Sequence, residues 1–518
     1  MYRMETVMRG KCYQNLIIIL SVLILSACGG EDSVPEPFAV TMMMEQFPMQ
    51  EAMGGGTWLK AIEQETDTKL QFEMIPTLEY VSQVERMIRN DRLPMVMVAN
   101  QTVLEKEAFH VYLNAGGFWQ LDDYLDDYPA LKAFVGAEVW ENSKIQGHIY
   151  GIPRLRIRPR NGAYYRADWA ETLGIPPPET LDEIYEMLKA FTEQDPDGNG
   201  LDDTVGLANC WQNPGNRGWN GVQTITTALG GPNGWEYSER DGVMIPDFAT
   251  EQYLEMLTWF RKLYQEGVME DNFSFLTAVQ RQERFTQGNV GMIFGVIEDA
   301  AELEDQIRRV DPAAKVALLP MIRAAGTDYR VNSTKGYNGL IMFNCLGDGA
   351  VRSEAELRRI LEFYNMLCTE KGQELLVFGR EGEHHVVEAD GEKHLLYEPG
   401  NNISILTAQA GSYIQIMPTP AYTRTAGDSE LQRDIFDCIE TREQWLVWDD
   451  TDALYSGTYL VLGDVLNRKI QKAGVRYILG EITGEDYRKA YEDWYDSGGK
   501  QVIEEYTAEY QRWNKGVP

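Results

Sequence analysis

Between Asp195 and Asp203 the chain reads Asp-Pro-Asp-Gly-Asn-Gly-Leu-Asp-Asp, with oxygen side chains at loop positions 1, 3, 5 and 9 and glycine at position 6. A hard divalent cation needs six or more oxygens, and this spacing is the ligand order of an EF-hand calcium loop. Asp195, Asp197, Asn199 and Asp203 would supply side-chain oxygens, and Leu201 its carbonyl. Position 12 holds Gly206 instead of the usual bidentate Glu, so that ligand must come from water, Thr204 or a distant carboxylate. The alternative reading is a solvated acidic turn. A second pattern is cationic: Arg154, Arg156, Arg158 and Arg160 alternate with Leu155, Ile157 and Pro159. Residues two apart on an extended strand share a side, so four guanidinium groups are expected on one face. Their forks match carboxylates. The alternative is that these arginines pair with acids of the protein's own surface.

Catalytic signatures are missing. The chain has no Gly-x-Ser-x-Gly elbow, no His-Glu-x-x-His and no phosphate-binding glycine loop. With 80 Asp plus Glu, paired carboxylates carry no weight as evidence for a glycosidase. Of five histidines, His384, His385 and His394 lie close together, at a spacing that suits no standard zinc site. They are expected as exposed imidazoles on a polar hairpin.

The elements that must position these groups alternate in type. Phe38 to Met44, Leu70 to Ile75 and Met95 to Ala99 read as strands, separated by helices over Thr57 to Thr66 and Tyr80 to Asn90. That alternation implies parallel βαβ units. Ala163 to Tyr165 is a further strand. Thr180 with Glu183 forms a capping box at the head of a helix that carries Leu181, Ile184, Leu188 and Phe191 on one face.

The amino terminus reads as an export signal. Arg3, Arg9 and Lys11 precede an apolar run, Leu16 to Leu25, interrupted only by Ser21. A helical span of the roughly 30 Å bilayer core needs about 20 residues, so this run is expected to be the core of a cleaved signal peptide; the alternative is an uncleaved anchor. Leu25-Ser26-Ala27-Cys28 resembles the bacterial lipobox, which implies cleavage before Cys28 and lipidation of its thiol. Residues 28–37 then form a tether. The 491 residues after position 27 suffice for two lobes. A formal charge of −33 argues against nucleic acid as a partner and against the protein body lying on an anionic membrane. Without signal and anchor, four cysteines remain, Cys210, Cys345, Cys368 and Cys438, and no Cys-x-x-Cys occurs.

Several stretches carry a resemblance. Tyr150-Gly151-Ile152-Pro153-Arg154 and the segment from Tyr164 to Gly200 are similar to family 1 extracellular solute-binding proteins, in particular their large Gram-positive lipoprotein branch. Phe285 to Met292, Lys371 to Gly379, Gly382 to Gly391 and the aromatic helices of Tyr487 to Trp513 follow in the family's order. The resemblance implies a two-lobed α/β fold of the periplasmic-binding-protein type, with a hinge and an interlobe cleft. It implies a monomeric, lipid-anchored receptor on the outer face of the cell membrane that passes a carbohydrate to ABC permease subunits and catalyses nothing. It implies structural calcium at the acidic loop. The alternatives are a polysaccharide-degrading lipoprotein or a sugar-sensing surface protein. The expected division is 38–152 with 289–335 for the first lobe, and 153–288 with 336–518 for the second. Chain crossings are placed near Tyr150 to Arg156, Gly288 to Phe294 and Thr334 to Leu340.

Sugars stack their C–H faces on aromatic rings while planar polar groups take the hydroxyls. Trp211 and Trp219, set among Asn, Gln, Arg and Gly in residues 209–221, are therefore expected ligand contacts. Tyr337, beside a crossing, and Tyr413, in a short Gly-Ser-Tyr turn, are further candidates. Arg156 joins them from the arginine series, which suggests an anionic oligosaccharide such as one containing uronic acid.

Overall fold

The computed structural model describes residues 37–46, 56–209, 211, 221–324, 328–389, 391, 393–396, 415–419, 424 and 428–514. The strands in chain order are β1 (Phe38–Gln46), β2 (Thr68–Pro76), β3 (Val96–Ala99), β4 (Gly151–Leu155), β5 (Asn161–Arg166), β6 (Val205–Ala208), β7 (Trp235–Ser238) and β8 (Val243–Pro246). They continue as β9 (Val290–Val296), β10 (Val316–Leu318), β11 (Val331–Asn332), β12 (Tyr337–Phe343), β13 (His385–Val387), β14 (Lys393–Leu395) and β15 (Leu446–Val447). Two sheets organise the molecule, one ordered β2-β1-β3-β12-β4 and the other β10-β5-β9-β6.

In the first sheet β1 runs parallel to β2 and β3, as βαβ alternation predicts, while β12 lies antiparallel to β3 and β4. Both faces of the central strands are covered, so β3 is apolar and buried throughout, while the edge strand β2 alternates with the exposed Lys69 and Gln71. Val40, Met42 and Met44 enter one core with Val96, Val98, Ile341 and Phe343. Met43 enters the opposite core with Met97, Ala99, Leu340 and Met342. The second sheet repeats the plan. Ala163, Tyr165, Leu207, Met292 and Phe294 face one core, and Tyr164, Ala208, Val290 and Ile293 face the other.

The helix Leu181–Glu193 has the expected capping box, with Thr180 Oγ1 accepting from Glu183 N and the Glu183 carboxylate accepting from Thr180 N. It packs hard against the second sheet. A Cβ on Gly206 would stand 2.2 Å from the Leu188 carbonyl oxygen, and one on Gly291 would stand 2.2 Å from the Phe191 ring. The helices Gly484–Trp494 and Lys500–Asn514 close the same half, burying Trp494 against Trp235 and Phe248.

Strand pairing corrects the expected division. β9 sits between β5 and β6, so residues 289–296 belong to the second sheet, and no crossing occurs near Gly288 to Phe294. β12 belongs to the first sheet, so the crossing near Thr334 is the return passage and not the last. Among the described residues, the first half is therefore built from those of 38–155 and 337–417, and the second from those of 161–332 and 431–514, with Met417 in a core of the first and Leu431 in a core of the second. Sequence reading missed this because β9 is buried on both faces and carries no mark of which sheet it joins. Among the described residues, no helix is long and apolar enough to cross a membrane.

Candidate functional site

The two halves meet where the chain passes between them. The segments 156–158 and 334–336 lie side by side: Arg156 N donates to Gly336 O at 2.8 Å and Thr334 N to Arg158 O at 2.9 Å. The Thr334 hydroxyl adds a bond to Ile157 O at 3.0 Å. Lys335 in this joint lies 3.7 Å from Asp452 and also donates to the Asp452 carbonyl at 3.2 Å.

The arginine series does not present one face. Arg158 turns aside, bridging Glu138 and Glu443 at 2.6 Å each and lying over the Trp448 ring. Arg160 pairs with Glu298 at 2.9 Å. Arg154 is buried, close enough to Glu45 and Tyr80 to feel their charge. Burial and neighbouring Arg156 press its pKa down to about 9. Arg156 itself is half-buried and donates to the Leu155 carbonyl at 3.1 Å. It has no carboxylate within salt-bridge distance among the described residues, and Glu298 is its nearest acidic influence. Burial and Arg160 lower it to about 10. The strictly alternating pattern broke because Pro159 and the crossing end the strand at Leu155. Arg158 thereby became a bracket between the halves, while Arg156 kept an unmatched charge.

The acidic partners were not singled out from sequence. Glu45 stands near the end of β1 and takes a bond from Asn100 Nδ2 at 2.9 Å; burial raises its pKa. Glu298 and Asp299 follow the end of β9, and burial pushes Asp299 up to about 6. Their signal was positional, since ligands of α/β folds gather beyond the carboxyl ends of the strands.

Of the aromatic candidates, Trp211 is corrected to a core residue. It is 4% exposed and edge-on to Phe260 and Phe273 at 5.7 and 6.1 Å. Its neighbours in sequence are polar, but a ring held between two others has no face left for a ligand. Tyr337 lies at the joint as expected, half-buried, with its hydroxyl donating to Asn142 O at 3.1 Å. That bond gives it a structural task. Trp219, Tyr413, Cys28 and Cys210 lie outside the described residues. Cys345, Cys368 and Cys438 are free thiols. His384 and His385 do sit at a hairpin, β13 with β14, but both imidazoles are buried, which overturns their expected exposure. His384 holds Thr57 Oγ1 at 2.8 Å and accepts from Arg380 N, and His385 contacts Phe378 O at 3.0 Å.

The acidic loop hangs between the helix Leu181–Glu193 and β6. Asp195 folds over it, accepting from Asn199 N at 3.1 Å and Gly200 N at 3.0 Å, with Gly198 and Gly200 at φ +68° and +79°. The Asn199 amide bonds to Asp197 at 2.8 Å and Asp203 at 3.2 Å, which draws those carboxylates toward one point. Burial, then the carboxyls of Asp195 and Asp203, raise Asp197. Position 12 is glycine because Leu188 leaves no room there. Thr204 is no substitute ligand, since its hydroxyl is buried and bonded to Phe191 O at 2.8 Å. Among the described residues no three acidic, His or Cys side chains stand at metal-coordinating spacing.

Two α/β halves, each with its own sheet and cores, joined by adjacent crossing segments that carry charged side chains, define a two-lobed binding protein. Residues 57–376 match the family model described as bacterial extracellular solute-binding protein. The chain is 31% identical to the polygalacturonan/rhamnogalacturonan-binding protein YtcQ of Bacillus subtilis, over 88% of each chain. It is 29% identical to lipoprotein LipO of the same organism, over 94% of each. A solved structure of the Streptococcus pneumoniae ABC-transporter substrate-binding protein FusA, an EF-hand mutant in complex with fructo-nystose, matches with a TM-score of 0.66 at 15% identity. That match covers 92% of this chain and 100% of the other. The chain belongs to the bacterial extracellular solute-binding protein family. It is accordingly a binding protein, not an enzyme.

Proposed function

We propose that this chain is the lipid-anchored receptor of an ABC importer for an oligosaccharide that carries uronic acid units. The observation that carries the reading is Arg156, a half-buried guanidinium at the joint of the halves with no carboxylate partner among the described residues. In a chain of charge −33 an unmatched arginine is costly to keep, and a bound carboxylate would match it bidentately. The polygalacturonan and rhamnogalacturonan named for the relative YtcQ are uronate polymers, which supports the same class of ligand. Trp219 and Tyr413 are retained as stacking contacts for the sugar rings.

Cys28 is the lipid anchor in this reading, supported by its lipobox and by the lipoprotein relative. In this reading the protein acts as a monomer and hands its ligand to ABC permease subunits, in keeping with FusA being named an ABC-transporter substrate-binding protein. Calcium at Asp195, Asp197, Asn199, Leu201 and Asp203 ties the loop to β6. The donors are all hard oxygens, and Asp197, raised first by burial and then by the neighbouring carboxyls of Asp195 and Asp203, would be held as a carboxylate by a divalent ion. Calorimetry against trigalacturonate and a neutral galactose trisaccharide tests the central claim. Binding of the acidic trisaccharide is expected; tight binding of the neutral sugar alone ends it.

A further inference from the structure

The strand directions fix which ends of the two sheets lie at the joint. In the first sheet β1, β2 and β3 are parallel, and β12 is antiparallel to both β3 and β4. β4 therefore runs with them and hands the chain to the crossing at its carboxyl end, after Leu155. In the second sheet β5 is antiparallel to β9, with Asn161 opposite Val296, so the crossing arrives at the carboxyl ends of β9 and of its parallel neighbour β6. Both sets of carboxyl ends, the usual ligand side of α/β sheets, open beside the joint.

A short segment extends the second sheet beyond β6, on the side away from β5. Met269 bridges in parallel to Leu207, with Leu207 N donating to Val268 O and Glu270 N to Leu207 O, both at 3.0 Å. The chain leaves this segment at the same carboxyl end and turns into the helix Ala278–Thr286, whose Gln282 amide donates to Asp299 at 3.0 Å. The turn is pinned on both sides. Phe273 is fully buried, edge-on to Trp211 and Tyr264, and Leu276 is buried in the core that holds Ala208 and Phe285. Phe275 N donates to Asn272 O at 2.8 Å. Between these anchors the Phe275 side chain stands 75% exposed. Exposure by itself is ordinary. Val310 is 86% exposed, but it adjoins Asp311, which lies 3.6 Å from Arg166 at the opposite end of β5, away from the joint.

We propose that Phe275 is a stacking platform for a sugar ring remote from the joint, so that the receptor selects chains over single sugars; the inference rests on the oligosaccharide reading above. Adjacent strands stand about 4.8 Å apart. From β5 through β9 and β6 to the segment 268–270 is three intervals, which sets the platform about 14 Å from the strand that the arginine crossing enters. One pyranose cannot touch both places, whereas a short chain can. A flat ring on a pinned turn receives the C–H face of a sugar with little left to order. It does not distinguish acidic from neutral units. Phe275 thus reads length, while Arg156 reads charge.

The test titrates the full-length mature chain and its Phe275→Ala, Phe275→Leu, Phe275→Trp and Val310→Ala variants with trigalacturonate, monomeric galacturonate and a neutral galactose trisaccharide. Calorimetry reads affinity, and thermal melting reads folding. Phe275→Ala is expected to weaken trigalacturonate binding about three- to tenfold and to leave the monomer's affinity unchanged. Its melting point should stay within about 2 °C of the parent, because the ring it removes is exposed. Phe275→Leu should lose as much, being apolar without a ring face. Phe275→Trp should bind at least as tightly as the parent, and trigalacturonate should change its tryptophan emission more than it changes the parent's. Val310→Ala should match the parent throughout. Parent-like trigalacturonate binding by Phe275→Ala or Phe275→Leu overturns the platform, assigns the exposed ring to some other contact and leaves the functional reading intact. An equal loss for monomer and trisaccharide also overturns it, since a remote contact cannot act on a single ring. If the parent takes only the neutral trisaccharide, the uronate claim falls, and the same loss in Phe275→Ala on that ligand upholds the platform. A parent that binds no trisaccharide overturns the oligosaccharide reading, and the platform with it.

Discussion

Replacing Arg156 by Met separates ligand recognition from folding. Among the described residues this guanidinium makes one hydrogen bond, to the carbonyl of the preceding residue, and is crowded by Arg160. Met keeps most of the aliphatic bulk, so removing the charge sacrifices little native structure, and the melting point should stay within about 2 °C of the parent. In the complex the loss is larger. A hydrogen bond to a charged group contributes about 1.5–3 kcal/mol, and each 1.4 kcal/mol is a factor of ten in Kd, so affinity for trigalacturonate should fall by about 10- to 100-fold. Arg156→Lys keeps the charge but loses the fork and should fall between the two. Isothermal calorimetry gives the affinities and calorimetric melting gives the stability. Unaltered binding by Arg156→Met, or a drop of more than about 5 °C in melting point, would refute the argument by making Arg156 a structural residue.

Chelation with EGTA should lower the melting point, because an ion at a hundredfold its Kd stabilises the folded state by about 2.7 kcal/mol; Asp197→Asn should abolish that dependence, and an unchanged midpoint would remove calcium from the loop. Trp211→Ala should cost about 3–5 kcal/mol of stability in denaturant melts, since it empties a packed core site, whereas Trp219→Ala should leave stability alone and weaken sugar binding. Uronate affinity should rise a few-fold between pH 7.5 and 5.5. Burial places Asp299 near pH 6, so its negative charge beside Arg160 is lost as pH falls through that value, while a sugar acid with a pKa of about 3.5 stays ionised. Calorimetry at both pH values checks the sign, and Asp299→Asn should flatten the dependence.

Much of the first half was legible because its signals are local. Alternating apolar strands and helices over residues 38–99 gave the parallel units, and in the second half Thr180 with Glu183 gave a helix start that the backbone follows. What escaped were choices made by partners far away in the chain. Nothing in Val290 to Val296 says which sheet it joins, because a strand buried on both faces looks alike in either core. Trp211 sits among polar neighbours and still packs between Phe260 and Phe273, more than forty residues away. A polar hairpin implies an exposed His384, but it bonds to Thr57, more than three hundred residues earlier. Arg156 and Arg158 carried identical local signals. Only the two glutamates brought to Arg158 by other segments distinguished the bracket from the unmatched charge.

The interleaving of the two halves also bears on how the polypeptide is made. Trp494, Val502 and Tyr506 complete a core that begins with Ala163 and Trp169, so that core cannot close until almost the last residue has emerged. Contacts so distant in sequence form slowly, since a long loop must be ordered before they are made. A polypeptide threaded through a narrow export channel amino-terminus first would remain slack during passage, and would lock its second half only after its tail had cleared.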